Sequence, residues 1–202
     1  MRYIVATHNM KKLKELSRIL EPLGIEAVTD RDLGLSITEV EETGTTFEEN
    51  AYLKAASACK ESGLPAIADD SGLCVDALDG APGLYSARFA GEGASDADKI
   101  KKLLDAMAEV PAKERTARFV SAICCVFPDG KTLYARGECE GVIAFAPSGD
   151  GGFGYDPVFF VGDRSFADMT AEEKDAISHR GCSLRAFSKV LKTYLEQGET
   201  TV

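Results

Sequence analysis

The chain opens on an apolar run of strand length, Tyr3-Ile4-Val5-Ala6, and turns polar at Thr7-His8-Asn9. So short a run predicts a buried strand, and Asn9 is placed to cap the helix that follows. Leu13, Leu16, Leu20 and Leu23 then recur at helical spacing, the apolar stripe of an amphipathic helix. Thr46-x-x-Glu49 is a capping box opening a second helix from about Phe47 to Glu61, which Gly63 and Pro65 end. Ala66-Ile67-Ala68 and Leu73-Cys74-Val75 read as strand pieces on either side of an Asp69-Asp70-Ser71-Gly72 turn. The glycine- and proline-rich segment from Ala77 to Gly93 is expected to be an ordered loop. Ser95-x-x-Asp98 opens a third helix, with Ile100, Leu103, Leu104 and Met107 facing a core and Pro111 closing it.

The second half reads mainly as strand. Ala117 to Phe127 and Leu133 to Ile143 are long β-type stretches around Pro128-Asp129-Gly130, a hairpin signal. After the glycines of 149–154 come a strand at Val158-Phe159-Phe160 and a short helix capped by Thr170-x-x-Glu173. The last helix carries Leu184, Phe187, Leu191 and Tyr194, with Ser178 as its N-cap and its end before Gly198. Without an internal repeat or linker, this order predicts one α/β domain around a mixed sheet.

Composition narrows the classes. The 202 residues suffice for one good core, and 45% hydrophobic with 28% charged residues is ordinary for a globular chain. A formal net charge of -10 repels polyanions, which argues against nucleic acid as a partner, although local lysines and a metal ion can still hold a small anion. The cysteines at 59, 74, 124, 125, 139 and 182 form no C-x-x-C pair and are expected to be reduced thiols. The N-terminal apolar run is too short for a signal peptide or a membrane span, so a cytoplasmic protein without membrane contact is expected.

Four places could carry chemistry. At Thr7-His8-Asn9-Met10-Lys11-Lys12 a strand meets a helix N-terminus with free N–H groups and lysines nearby, which suits a phosphate chain or is simply a solvated face. The acidic Glu39-Val40-Glu41-Glu42 and the pair Asp69-Asp70 offer oxygen ligands to Mg²⁺, with only one of the adjacent aspartates on any one face. Gly149-Asp150-Gly151-Gly152-Phe153-Gly154 spells G-x-G-x-x-G, but Tyr155-Asp156-Pro157 follows where the dinucleotide fingerprint needs a helix. Phe153 and Tyr155 among glycines fit better as a wall for a flat base. Lys174, His179 and Arg180 form a late basic cluster able to hold phosphate or the edge of a base. A Ser71–His179–Asp hydrolase lacks the G-x-S-x-G elbow.

Together these stretches resemble the inosine/xanthosine triphosphate pyrophosphatase family. The resemblance lies in ATHNMKK at 6–12, EETGTTFEENAYLKA at 41–55, the run LPAIADDSGLCVDALDGAPGLYSARFAGE at 64–92, GGFGYDPVFF at 151–160 and EEKDAISHRGCSL at 172–184. Lys11 stands where the family often has glycine. The resemblance implies an elongated α/β fold with two lobes around a long mixed sheet, an active-site cleft between them, and a homodimer. It implies Mg²⁺-dependent hydrolysis of a non-standard purine nucleoside triphosphate (ITP, dITP or XTP) to the monophosphate and pyrophosphate. Thr7 to Lys12 would hold the triphosphate, Glu41 and Asp70 the metal, with Asp70 the general base and Ser71 touching substrate. Phe153, Gly154, Tyr155 and Asp156 would form the base pocket, completed by Lys174, His179 and Arg180. A Maf-type pyrophosphatase of different base preference and a non-catalytic nucleotide-binding protein are the alternatives.

Overall fold

The computed structural model describes residues 1–7 and 9–199, excluding the side chains of 11, 198 and 199. Its strands are β1 (Arg2–Val5), β2 (Glu26–Val28), β3 (Ala66–Val75), β4 (Thr116–Val126), β5 (Thr132–Ile143), β6 (Phe159–Val161) and β7 (Arg164–Ser165). The α-helices are α1 (Met10–Leu20), α2 (Phe47–Ser62), α3 (Asp96–Ala106), α4 (Ala171–Ile177) and α5 (His179–Glu199). The strands form one seven-stranded sheet in the order β2-β1-β3-β4-β5-β6-β7. It is mixed: β1 pairs in parallel with β2 and β3, whereas β5–β6 and β6–β7 are antiparallel. The α/β expectation therefore holds.

The residues group into two compact units. The first comprises Met1–Asp70, Ser121–Gly137 and the chain from Ser183. Its core follows the period-two alternation of its strands. Tyr3, Val5, Ile67, Ile123 and Cys125 pack with Leu16 and Leu20 of α1 and Phe187 and Leu191 of α5. The intervening Ile4, Ala66, Ala68, Cys124 and Val126 pack with Ala51, Ala55 and Ala58 of α2. Small alanines let that helix lie close to the strands. The second unit, Ser71–Val120 and Glu138–Cys182, has its own core, in which Leu73, Val75, Leu103, Met107, Phe119, Phe159 and Phe166 meet.

Several local readings change. The Asp69–Gly72 stretch is no turn: β3 runs unbroken through it from Ala66 to Val75. Local turn preference yields there to burial, because Ala66 to Asp69 and Gly72, Leu73 and Val75 are all buried. β2 and β7, only three and two residues long, carry too little pattern to be read ahead. Leu23 lies in a 3₁₀ turn (Glu21–Leu23) that Gly24 closes at φ 71°, not in α1. Val158 belongs to a 3₁₀ turn (Asp156–Val158) before β6. The 77–93 segment contains a 3₁₀ stretch, Gly83–Arg88. α5 continues through Gly198 to Glu199, since one glycine costs a helix only about 1 kcal/mol. The hairpin is borne out: Phe127 N donates to Lys131 O at 2.9 Å around Gly130, whose φ is 87°.

Candidate active site

In the first unit, candidate groups gather at the carboxyl end of the parallel β1–β3 pair, where open α/β sheets commonly bind ligands. Beyond Val5, Thr7 Oγ1 accepts from Asn9 N at 3.1 Å, and Asn9 Oδ1 accepts from Lys12 N at 3.4 Å. Asn9 thus caps α1 as expected, and Met10 is exposed. His8 and the Lys11 side chain lie outside the described residues. The first turn of α1 has no acidic residue, and Lys12 Nζ reaches back 2.6 Å to Asp69 Oδ2 on β3.

Strand alternation separates the adjacent aspartates. Ile67 and Asp69 share the face packed by α1; Ala66, Ala68 and Asp70 share the face packed by α2. There Asp70 Oδ1 lies 3.3 Å from Lys54 Nζ, and Asp70 Oδ2 accepts from Asn50 Nδ2 at 3.2 Å. Lys54 Nζ also meets Glu42 Oε1 at 2.8 Å. Burial pushes the Asp70 carboxyl above its ordinary value and the Glu42 charge adds to this, against the pull of Lys54 and Asn50. For Lys54, burial acts to lower the pKa, but Asp70, Glu42 and Asp69 outweigh it and the ammonium is held above its ordinary value. Glu41 is exposed, and the carboxylate beside Lys54 is that of Glu42. Ser71, next along β3, is half-buried.

In the second unit a different set forms around Asp156, which is only 3% exposed. Its Oδ2 accepts from Phe153 N at 2.8 Å and from Lys174 Nζ at 2.5 Å. Gly152 is required twice over, for a φ of 75° and because a Cβ there would strike the Asp156 carboxylate. Lys174 Nζ sits 5.0 Å from the ring centre of Phe153, which is 53% exposed. Phe153 also lines, with Ile100, Leu104, Pro147 and Pro157, a cavity of about 580 Å³. Gly154 N donates to Asp96 Oδ2 at 2.6 Å, so a second carboxylate holds the glycine loop. Tyr155 is placed in the core, 4% exposed, with its hydroxyl donating to Ser86 O at 2.9 Å. The accessible stacking surface is therefore Phe153. His179 lies face to face with Phe119 at 4.7 Å. Arg180 is half-buried, and Ser178 caps α5 by accepting from Gly181 N at 3.1 Å.

Asn50, Lys54 and Asp96 are not singled out by the sequence, and Glu42 is named there only as a member of the acidic run, with Glu41 as the metal ligand. Asn50 and Lys54 carry a usable signal: they stand four apart in α2, polar among the alanines at 51, 55 and 58. What these features define is an α/β protein with carboxylates and lysines at a parallel strand end and an aromatic–lysine–aspartate set on a glycine loop. The chain belongs to the Ham1 family, which it matches over residues 3–190. It is 50% identical over 198 residues to a protein of Symbiobacterium thermophilum named dITP/XTP pyrophosphatase, covering 98% of each chain. A dITP/XTP pyrophosphatase of Escherichia coli strain K12 is 47% identical over 195 residues, covering 95% of this chain and 98% of its own. Among solved structures, a HAM1 protein from Coxiella burnetii superposes with a TM-score of 0.90 at 41% identity, covering 96% of this chain and 99% of its own. The resemblance read from the motifs thus extends over nearly the whole chain.

Proposed function

We propose that this protein hydrolyses non-standard purine nucleoside triphosphates, ITP, dITP and XTP, to the monophosphate and pyrophosphate. The observation that carries the reading is the partly buried Asp70 carboxylate, held between Asn50 and Lys54 on β3 beside the end of β1, where the N-terminus of α1 also begins. The α1 N-terminus with Thr7, His8, Asn9, Met10, Lys11 and Lys12 takes the polyphosphate, through the partial positive charge of the helix end and lysine charge. Lys54 adds an ammonium beside Asp70. Asp70 accepts the proton of the attacking water as its oxygen bonds to the α-phosphorus. The bond from the α-phosphorus to the bridging oxygen breaks, and the electron pair leaves with pyrophosphate. Ser71 contacts the substrate beside that centre.

The donor set fits a hard divalent cation. Asp70 and Glu42, which meet through Lys54, are oxygen donors of the kind such a cation takes, and the exposed Glu41 stands next to Glu42 in the chain, whereas Asp69 lies on the opposite face of β3 with Lys12. Asp70 with Glu41 and Glu42 would hold Mg²⁺, whose charge would offset that of the phosphate oxygens.

The base is taken by the second set. Phe153 stacks it, with Gly154 leaving its face open and Tyr155 anchoring the loop from the core. Lys174, fixed by Asp156, and the neighbouring His179 and Arg180 supply donors to the base edge. Hypoxanthine and xanthine accept at the 6-keto position, whereas adenine donates there and leaves such donors unpaired, worth roughly 10⁴-fold where a site is built for the bond. The family resemblance also supports a homodimer working in the cytoplasm. Among the described residues no helix is long and apolar enough to cross a membrane.

The test is pyrophosphate release from inosine, deoxyinosine, xanthosine, adenosine, guanosine and thymidine triphosphates, with and without Mg²⁺. Preference for the first three in Mg²⁺ is expected. A pyrimidine preference would point to a Maf-type enzyme, and tight ITP binding without pyrophosphate release to a sensor.

A further inference from the structure

Asn50 stands in the first turns of α2, where an amide side chain normally faces water. Here it is 1% exposed, so its polar atoms must find partners within the protein. Gly44 N donates to Asn50 Oδ1 at 2.8 Å. A backbone N–H can only donate, so the amide oxygen must face Gly44, and the amide nitrogen is then directed at Asp70 Oδ2, 3.2 Å away. The segment approaches α2 closely: a Cβ on Gly44 would lie 2.6 Å from Asn50 Oδ1 and 2.7 Å from Glu49 Cβ. One turn further along α2, Lys54 takes the other oxygen of Asp70 together with Glu42. Asn50 and Lys54 therefore each bridge β3 to the Glu42–Gly44 segment, and between them they engage both oxygens of Asp70.

We infer that Asn50 is a positioning residue, whose side-chain amide sets the orientation of the Asp70 carboxylate and ties it to the acidic segment through the Gly44 N–H. The inference rests on the reading of Asp70 given above. Asn50 acts through Asp70 and not on the nucleotide, so its loss falls on turnover more than on substrate affinity. Removing the amide also takes the acceptor from the part-buried Gly44 N–H, and displacing it by a Cβ on Gly44 spoils the same two bonds.

Steady-state kinetics of Asn50→Ala, Gly44→Ala and the double variant, with Asp70→Asn alongside, test this. Asn50→Ala is expected to lower kcat by about 10- to 100-fold. Its KM stays within about twofold of wild type. Gly44→Ala reproduces the loss, and the double variant is no worse than the poorer single one. In ¹⁵N-labelled protein the Asn50 side-chain NH₂ resonances move on Asp70→Asn, a signature that a merely space-filling Asn50 would not give and that needs no Asn50 variant to fold. Wild-type kcat in Asn50→Ala, losses that multiply in the double variant, or NH₂ resonances indifferent to Asp70→Asn would overturn the inference. Turnover surviving in Asp70→Asn would instead defeat the reading of Asp70, and the resonances would still decide whether the tie exists.

Discussion

Asp69 and Asp70 are identical side chains one residue apart, yet β3 sends one to Lys12 and the other to Asn50 and Lys54. A strand's two-residue period makes this unavoidable once the chain stays extended. The expectation that only one of the pair enters a given site survives, although its supposed turn does not. Asp70→Asn is nearly isosteric, so the fold should persist while kcat falls by about 10²- to 10⁴-fold, measured as pyrophosphate release. Cysteines make a second residue-scale prediction. All six are free, and burial pushes Cys124 up to about 12 and Cys139 up to about 11. At pH 8, taken as roughly neutral-to-basic assay conditions, these two should react with a thiol reagent only after denaturation, because the thiolate is the nucleophile. Rapid labelling of either in the native protein would contradict their burial.

Among the elements, those whose ends are written in side-chain chemistry were the most legible. The boxes Ser95/Asp98 and Thr170/Glu173 both form reciprocally, opening α3 and α4 where expected. At α2 the Thr46 hydroxyl accepts from Glu49 N as expected, but the Glu49 carboxylate turns mainly to Thr45, 2.6 Å from its backbone N. Glu173 of α4 pairs with Arg164 of β7, and the Thr170 N–H adds to it, holding that carboxyl down at about 2 against an ordinary 4.5. A depressed carboxyl stabilises the folded form above the ordinary value and loses that contribution as pH falls toward the lower one. Glu173 should therefore titrate by carbon NMR with a midpoint near 2, and α4 should fray from its N-terminus as that happens. A midpoint at 4.5 would mean that the box and the Arg164 pair are absent in solution. The glycine loop was legible only in part. Its lack of a following α-helix was readable from Pro157, whereas its attachment to Asp96 on α3 joins residues 58 apart in sequence. Asp96→Ala should raise KM for ITP with little change in kcat, since it loosens the loop bearing Phe153 and leaves Asp70 untouched.

At the scale of the molecule, each unit is held by its own apolar core, and the second depends on an aromatic cluster. Phe159 and Phe166 meet edge to face at 4.8 Å, and Phe119 packs on both. Phe166 is 1% exposed, so Phe166→Ala should cost about 3–5 kcal/mol in urea unfolding. Metal removal should act differently: excess chelator should silence turnover while the unfolding midpoint stays above that of the core variant. Sequence alone determined what is local in origin. Hydrophobic period, caps and turn glycines set where α1, α2, α3 and the β4–β5 hairpin lie, because each depends on neighbours a few residues away. The long motifs likewise announced the family and most of the candidate site residues. Tertiary structure alone decided that the Asp-Asp-Ser-Gly stretch stays extended, that Glu42 and not Glu41 meets Lys54, that Tyr155 is core, and that Asn50 faces Asp70. Each of these is settled by partners far along the chain or by burial against them, and a local pattern contains no term for either.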